Sequence, residues 1–182
     1  MFEYSNLGYA ILGLVIKRAS GVSYQEYITT NIFLPLRMSD TVFEIDSVPR
    51  KELALGYRWE ENQWKLEPML HDGSFGAMGG LITTIDDFVT YAQFHMSAWP
   101  PSDAPETGPI SRKSLREMHQ PLSFVDVVKH MKTPSSPEPV AVTETNPGVA
   151  GYGFGLAVTE DASQTKVVRH AGGLPGFGSE WR

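Results

Sequence analysis

The apolar residues of this chain change period once, and that change restricts the fold more than any single motif. Between residues 6 and 19, Leu7, Ala10, Ile11, Leu14, Val15 and Arg18 recur at the i, i+3, i+4, i+7 spacing of one helix face. Near the other end, Tyr152-Gly153-Phe154-Gly155-Leu156-Ala157-Val158 alternates as a strand does, and Val167-Val168-Arg169-His170 forms a second such run. Asp161 to Gln164 supplies a polar turn between them. Helices first and a hairpin last predict an α+β fold, with helices packed on an antiparallel sheet. An all-α structure or a parallel doubly wound sheet would refute this.

Local signals place the boundaries. Gly21 stops the first helix, in which Gly8 and Gly13 each cost ~1 kcal/mol against alanine. Ser23 and Glu26 fit a capping box that opens a second helix, running to about Phe33 and ending before Pro35. Tyr57, Trp59, Trp64 and Leu66 suggest a short hairpin within residues 50 to 70. The run from Asp72 to Gly80 is too rich in glycine for a regular element. Thr84 caps a third helix, with Asp86 and Asp87 in its first turn as capping acids, and Phe88, Tyr91, Ala92 and His95 on one face. Ser111 caps a short helix through Met118, with Leu115 and Met118 inward. Two proline-rich stretches, 97–110 and 132–148, read as exposed loops or insertions within a single partial domain, 1–182.

Composition narrows the chemistry. The chain has no cysteine, which excludes disulfides, Cys-ligated zinc and a thiol nucleophile. A net charge of −6 argues against a nucleic-acid partner. No apolar run reaches the roughly 18 residues of a membrane span. His71 and Asp72 lack a third ligand at a metal-site spacing, and no cofactor motif is present. His95 reads as core edge, and His119 and His130 as solvated surface.

Two short motifs remain: Tyr4-Ser5-Asn6 before the first helix, and His170-Ala171-Gly172-Gly173 leading into Leu174-Pro175-Gly176-Phe177-Gly178-Ser179. Alone, Tyr4 reads as an aromatic staple, Ser5 or Asn6 as a helix cap, and His170 as a strand-end surface histidine. Their order and surroundings are more specific. The stretch YSNLGYAILGLVIKRASGVSYQEYITTNIFLPLRMSDT, from Tyr4 to Thr41, resembles the serine β-lactamase-like family of class C β-lactamases, penicillin-binding proteins, D-aminopeptidases and esterases. So do Gly79-Gly80-Leu81 with Thr83-Thr84-x-Asp86, and the Tyr-Gly-Phe-Gly-Leu run before His170.

The resemblance implies an acyl-enzyme mechanism on a serine of an S-x-x-K motif, whose helical spacing sets serine and lysine on one face. It makes Tyr4 the phenol that shuttles the proton and Asn6 a ligand for the substrate's amide. His170 takes the place of the lysine of the K-T-G motif. Gly172 lets substrate approach the strand, and the Gly173 N–H becomes an oxyanion donor. Ala171 replaces the threonine and loses a hydroxyl for a substrate carboxylate, which disfavours β-lactams and D-Ala-D-Ala peptides. Arg37 replaces the glycine of a P-L-G-M turn.

The only S-x-x-K here, Ser163-Gln164-Thr165-Lys166, falls in the predicted hairpin turn on the wrong side of both motifs and reads as a chance match. The chain is therefore expected to be an interior fragment, lacking the nucleophile segment and C-terminal strands, and inactive as it stands. The implied function is a serine hydrolase of esters, amides or D-amino-acid peptides. The alternative is a non-catalytic peptidoglycan- or lactam-binding module. Expected partners are a small-molecule or peptide substrate, with no nucleic acid; relatives are usually exported.

Overall fold

The computed structural model describes residues 2–131, 145–161 and 166–182. The fold is α+β, as the change of period predicts, and it divides into two compact units. One comprises Tyr4–Leu115 with Gly172–Ser179 and is mainly helical; the other comprises Met1–Glu3, Arg116–Ala171 and Glu180–Arg182 and is mainly sheet.

In the helical unit, α1 spans Asn6–Ser20. Ser5 is its cap: the Gly8 N–H donates to Ser5 Oγ at 3.0 Å, so Asn6 is the first helical residue. Gly21 closes the helix in the left-handed conformation, at φ 83°. The residues α1 buries are Ala10 and Gly13, while Leu7, Ile11, Leu14 and Val15 of the apolar stripe remain exposed. Gly13 is there for close approach: a Cβ would lie 2.6 Å from the Ala77 methyl. Ala77 belongs to a 3₁₀ helix, Gly73–Met78, where no regular element was expected. Glycine makes that turn possible rather than preventing it, since a Cβ at Gly76 would run into the Asp72 carboxylate.

The second helix also departs from expectation. Ser23 caps α2, Tyr24–Ile28, by accepting from the Glu26 N–H at 3.1 Å. A π turn, Thr29–Phe33, then leads into α3, Leu34–Leu36, so helix continues past Pro35. Pro35 lies in the first turn of α3, where a missing N–H costs little, and the wider π turn carries the chain there. Arg37 closes α3 at φ 59°. An L-residue in that region is disfavoured by roughly 1–2 kcal/mol, partly offset by the greater freedom of an unfolded glycine. Arg37→Gly should therefore stabilise the protein by up to about 1 kcal/mol. A rise in the urea midpoint checks this; a fall would mean the arginine side chain holds more than its backbone costs.

Strands β1, Tyr57–Glu60, and β2, Gln63–Leu66, form the expected hairpin. Glu61 and Asn62 both have positive φ, as a two-residue turn of this twist requires. Trp59 faces Trp64 edge-on at 5.3 Å. Helix α4, Ile85–Met96, starts at the Thr84 cap as expected. Asp86 is exposed, but Asp87 is buried and does more than cap. Its carboxylate accepts from the Asp40 N–H at 2.8 Å and the Thr41 hydroxyl at 2.7 Å. Residues 97–110 carry no helix or strand. Helix α5, Arg112–Met118, follows, with the Ser114 N–H donating to Ser111 Oγ at 3.1 Å and Leu115 fully buried.

Five strands form one sheet in the order β3-β4-β5-β6-β7: Ser123–Met131, Thr145–Tyr152, Ala157–Asp161, Lys166–Leu174 and Phe177–Trp181. The pairs from β3 to β6 are antiparallel. Residues 145–148, read as part of an insertion, belong to β4; residues 132–144 lie outside those described, as do 162–164 of the expected turn. The alternating run 152–158 is two strands rather than one. Tyr152 ends β4, Ala157 begins β5, and between them the Gly153 N–H donates to the Leu156 carbonyl at 2.9 Å while Gly155 takes φ 77°. Glycines at alternate positions imitate a strand but provide the turn.

His119 is 3% exposed, not the solvated histidine expected from its loop-flanking position; the side chain of His130 lies outside the described residues. Burial, and then the Lys166 charge, hold the His119 imidazole below its ordinary value. The unfolded chain therefore takes up this proton first. The stability His119 contributes is present above the unfolded value of about 6.5 and is lost as pH falls toward the folded one. Thermal midpoints should decline from pH 7 to 5 more steeply in the wild type than in His119→Gln. Equal slopes would assign the decline to other groups.

Candidate active site

The first motif stands at the head of α1. The Ser5 cap fixes the entry of the chain, and the two residues either side of it, Tyr4 and Asn6, are exposed. Tyr4 retains 54% of its surface, so it is not a core residue.

The glycines of the second motif lie in β6 and belong to the same helical unit. Gly172 and Gly173 are exposed. A Cβ at Gly172 would stand 3.1 Å from Ser179 Oγ, and one at Gly173 would meet nothing within 4 Å. The strand is thus bare backbone over these residues, the condition for an extended substrate to come close. The turn that follows is held by residues the sequence did not single out. Gly176, at φ 75°, packs so tightly on the root of β1 that a Cβ would lie 2.5 Å from the Gly56 Cα and the Tyr57 nitrogen. Gly56 is tight in return: its Cβ would lie 2.8 Å from the Pro175 carbonyl oxygen and 2.6 Å from the Phe177 ring. The seat of Pro175-Gly176 on Gly56 was not legible in the sequence.

His170 and Ala171 belong to the sheet unit. His170 is partly buried, and its Nε2 lies 3.1 Å from the Tyr152 hydroxyl, with the rings 6.3 Å apart at 68°. Phe2 packs on Tyr152 with ring centres 4.9 Å apart. Ala171 is exposed. Within the units, then, the residues brought together are Tyr4 with Asn6, Gly172 with Gly173, and His170 with Tyr152.

Ser163 and its two successors in the S-x-x-K match lie outside the described residues. Lys166 opens a β-strand and pairs with Glu160 at 3.6 Å, so it is not on a helix face. Asp72 is buried and structural: the Tyr24 hydroxyl and Gln25 Nε2, the latter at 2.7 Å, both donate to its Oδ2. Burial and this carboxylate push the Tyr24 phenol well above its ordinary value. His71 is exposed, 3.7 Å from Glu44. Among the described residues no group of three or more His, Cys, Asp or Glu could hold a metal ion, and no helix is long and apolar enough to cross a membrane.

Comparison with known proteins matches the whole chain to one family model. The model described as Beta-lactamase matches residues 1–182. Beta-lactamase-like protein 2 of Dictyostelium discoideum is 30% identical over 125 residues, covering 68% of this chain and 21% of that protein. Penicillin-binding protein 4* of Bacillus subtilis (strain 168) is 28% identical over 177 residues, covering 96% of this chain and 35% of that protein. The chain therefore spans about a third or less of the length of these relatives. Among solved structures, the octameric penicillin-binding protein homologue from Pyrococcus abyssi superposes with a TM-score of 0.72 at 27% identity, over 99% of this chain and 35% of that one.

Proposed function

Because the chain belongs to the Beta-lactamase family, we propose that it supplies two of the three active-site motifs of a serine hydrolase working through an acyl-enzyme. One observation carries the reading. Tyr4-x-Asn6 heads a capped helix, and the glycines after His170 present bare strand backbone, all within the matched family region. In this reading the nucleophile is the serine of the family's S-x-x-K motif. Its Oγ attacks the substrate carbonyl carbon as its proton passes to the lysine amine, which hands it on through the Tyr4 hydroxyl as that hydroxyl gives up its own. The Gly173 N–H donates to the oxyanion, and Asn6 holds the substrate amide. Tyr4 returns the proton to the departing alcohol or amine, and water then hydrolyses the ester formed on the serine. By the family resemblance His170 takes the place of the K-T-G lysine, as a cation or hydrogen-bond donor. With Ala171 beside it, substrates without a carboxylate at that point are favoured: esters and amides ahead of β-lactams. An exported location follows from the same family reading.

The S-x-x-K match of residues 1–182, Ser163 to Lys166, falls after Tyr4-x-Asn6 and just ahead of His170, so we expect these residues alone to be inactive. The purified chain, assayed on a chromogenic ester, a D-amino-acid anilide and a chromogenic cephalosporin, should give no turnover above heat-denatured protein. Multiple turnovers abolished by Ser163→Ala would overturn the assignment of the nucleophile.

A further inference from the structure

We propose that Tyr152 is the positioning residue of His170, fixing which ring nitrogen carries the proton. The inference rests on the reading of His170 as an active-site residue. Tyr152 is the last residue of β4 and pairs with Ala157, which pairs with Arg169, the neighbour of His170. Beyond Ala157 strand β5 has not begun, and the tyrosine side chain reaches His170 Nε2 at 3.1 Å past that end. The Phe2 ring lies against the Tyr152 ring, with centres 4.9 Å apart and planes tilted by 39°, and limits its swing.

The direction of the hydrogen bond follows from the two partners. A phenol is a good donor and a poor acceptor, because its oxygen lone pair is drawn into the ring. At neutral pH it keeps its proton, and a neutral imidazole offers one acceptor nitrogen. The Tyr152 O–H therefore donates to Nε2, and the imidazole carries its proton on Nδ1. His170 is thereby set as a donor through Nδ1, in one ring orientation. Without the hydroxyl, the preference that this bond gives to the Nδ1–H tautomer is lost. Tyr152 acts through His170, so its loss should lower kcat by about tenfold, the size of one well-placed hydrogen bond, with little change in KM.

The test is a tautomer measurement. Residues 1–182 labelled with ¹⁵N-histidine are compared by long-range ¹H–¹⁵N correlation with Tyr152→Phe, which keeps the ring against Phe2 and deletes only the hydroxyl. The expected result is a protonated Nδ1 and bare Nε2 in the wild type, and a mixture in Tyr152→Phe. Tyr152→Leu, which also removes the ring, should give the same mixture; a bias that survives in Phe and is lost only in Leu would assign the effect to packing and overturn the proposal. A proton on Nε2 in the wild type would overturn it too. In a polypeptide carrying S-x-x-K ahead of Tyr4, kcat should fall for both His170→Ala and Tyr152→Phe. A tautomer change with turnover indifferent to His170→Ala would instead remove His170 from the reaction, leaving the hydrogen bond without a catalytic role.

Discussion

In a polypeptide that carries S-x-x-K ahead of Tyr4, Tyr4→Phe should lower kcat for ester hydrolysis by at least about 10²-fold, the usual contribution of a positioned acid or base. That corresponds to roughly 2.7 kcal/mol of transition-state stabilisation. The substitution removes one oxygen from a side chain that is already exposed, so packing changes little. The helix entry is also preserved, because the cap is made by Ser5 Oγ and not by Tyr4. Thermal stability should therefore fall by no more than about 1 kcal/mol, the size of one hydrogen bond. Ser5→Ala gives the opposite pattern: a loss of about 1 kcal/mol of stability from the missing cap, with turnover reduced far less. Wild-type turnover in Tyr4→Phe would remove the phenol from the mechanism.

The second large effect is on stability. Asp87→Ala should cost about 3 kcal/mol or more. The side chain is 6% exposed, and its carboxylate accepts from the Asp40 N–H and the buried Thr41 hydroxyl, which also contacts Thr83 Oγ1 at 2.8 Å. Truncation leaves donors in the interior with no acceptor and frees the start of α4 from the segment that follows α3. Asp87→Asn keeps one acceptor oxygen and should recover part of the loss. Asp86→Ala, one residue earlier and exposed, should cost no more than about 0.5 kcal/mol. Urea unfolding of the three variants decides; equal losses for Asp86 and Asp87 would show that only the helix dipole is at stake.

The contrast between those two aspartates shows what a sequence can and cannot reveal. Local signals were legible because they act over three or four residues. Ser5 or Asn6, Ser23, Thr84 and Gly21 mark helix ends by chemistry that needs no distant partner, and the structure uses Ser5 of the first pair. The tryptophan hairpin was legible for the same reason. What failed was set by distant contacts. Asp86 and Asp87 look alike until Asp40 and Thr41 are brought to one of them. His119 looked solvated because it flanks a loop, yet it is buried. Strand β3 escaped notice because its pairing shifts register between Phe124 and Asp126, which breaks the alternation. The apolar stripe of α1 was recognised as a helix face, but the contact it buries is made by Ala10 and Gly13.

The candidate site divides in the same way. Tyr4, Asn6, His170, Ala171, Gly172 and Gly173 could be named from their motifs because family resemblance is written in short runs. Gly56 and Tyr152 could not, since each earns its place through a residue more than fifteen positions away: Gly56 against Gly176, and Tyr152 against His170.

The central claim, that these motifs serve an acyl-enzyme, is tested most directly by intact-mass spectrometry of rapidly quenched reactions with a slow chromogenic ester. The protein is the polypeptide with S-x-x-K ahead of Tyr4. The predicted result is an adduct of one acyl group on that serine, formed with a burst of released alcohol and absent when the serine is alanine. Turnover that persists in the alanine variant without any adduct would contradict the claim, as would tight binding of the ester or a lactam with neither adduct nor turnover.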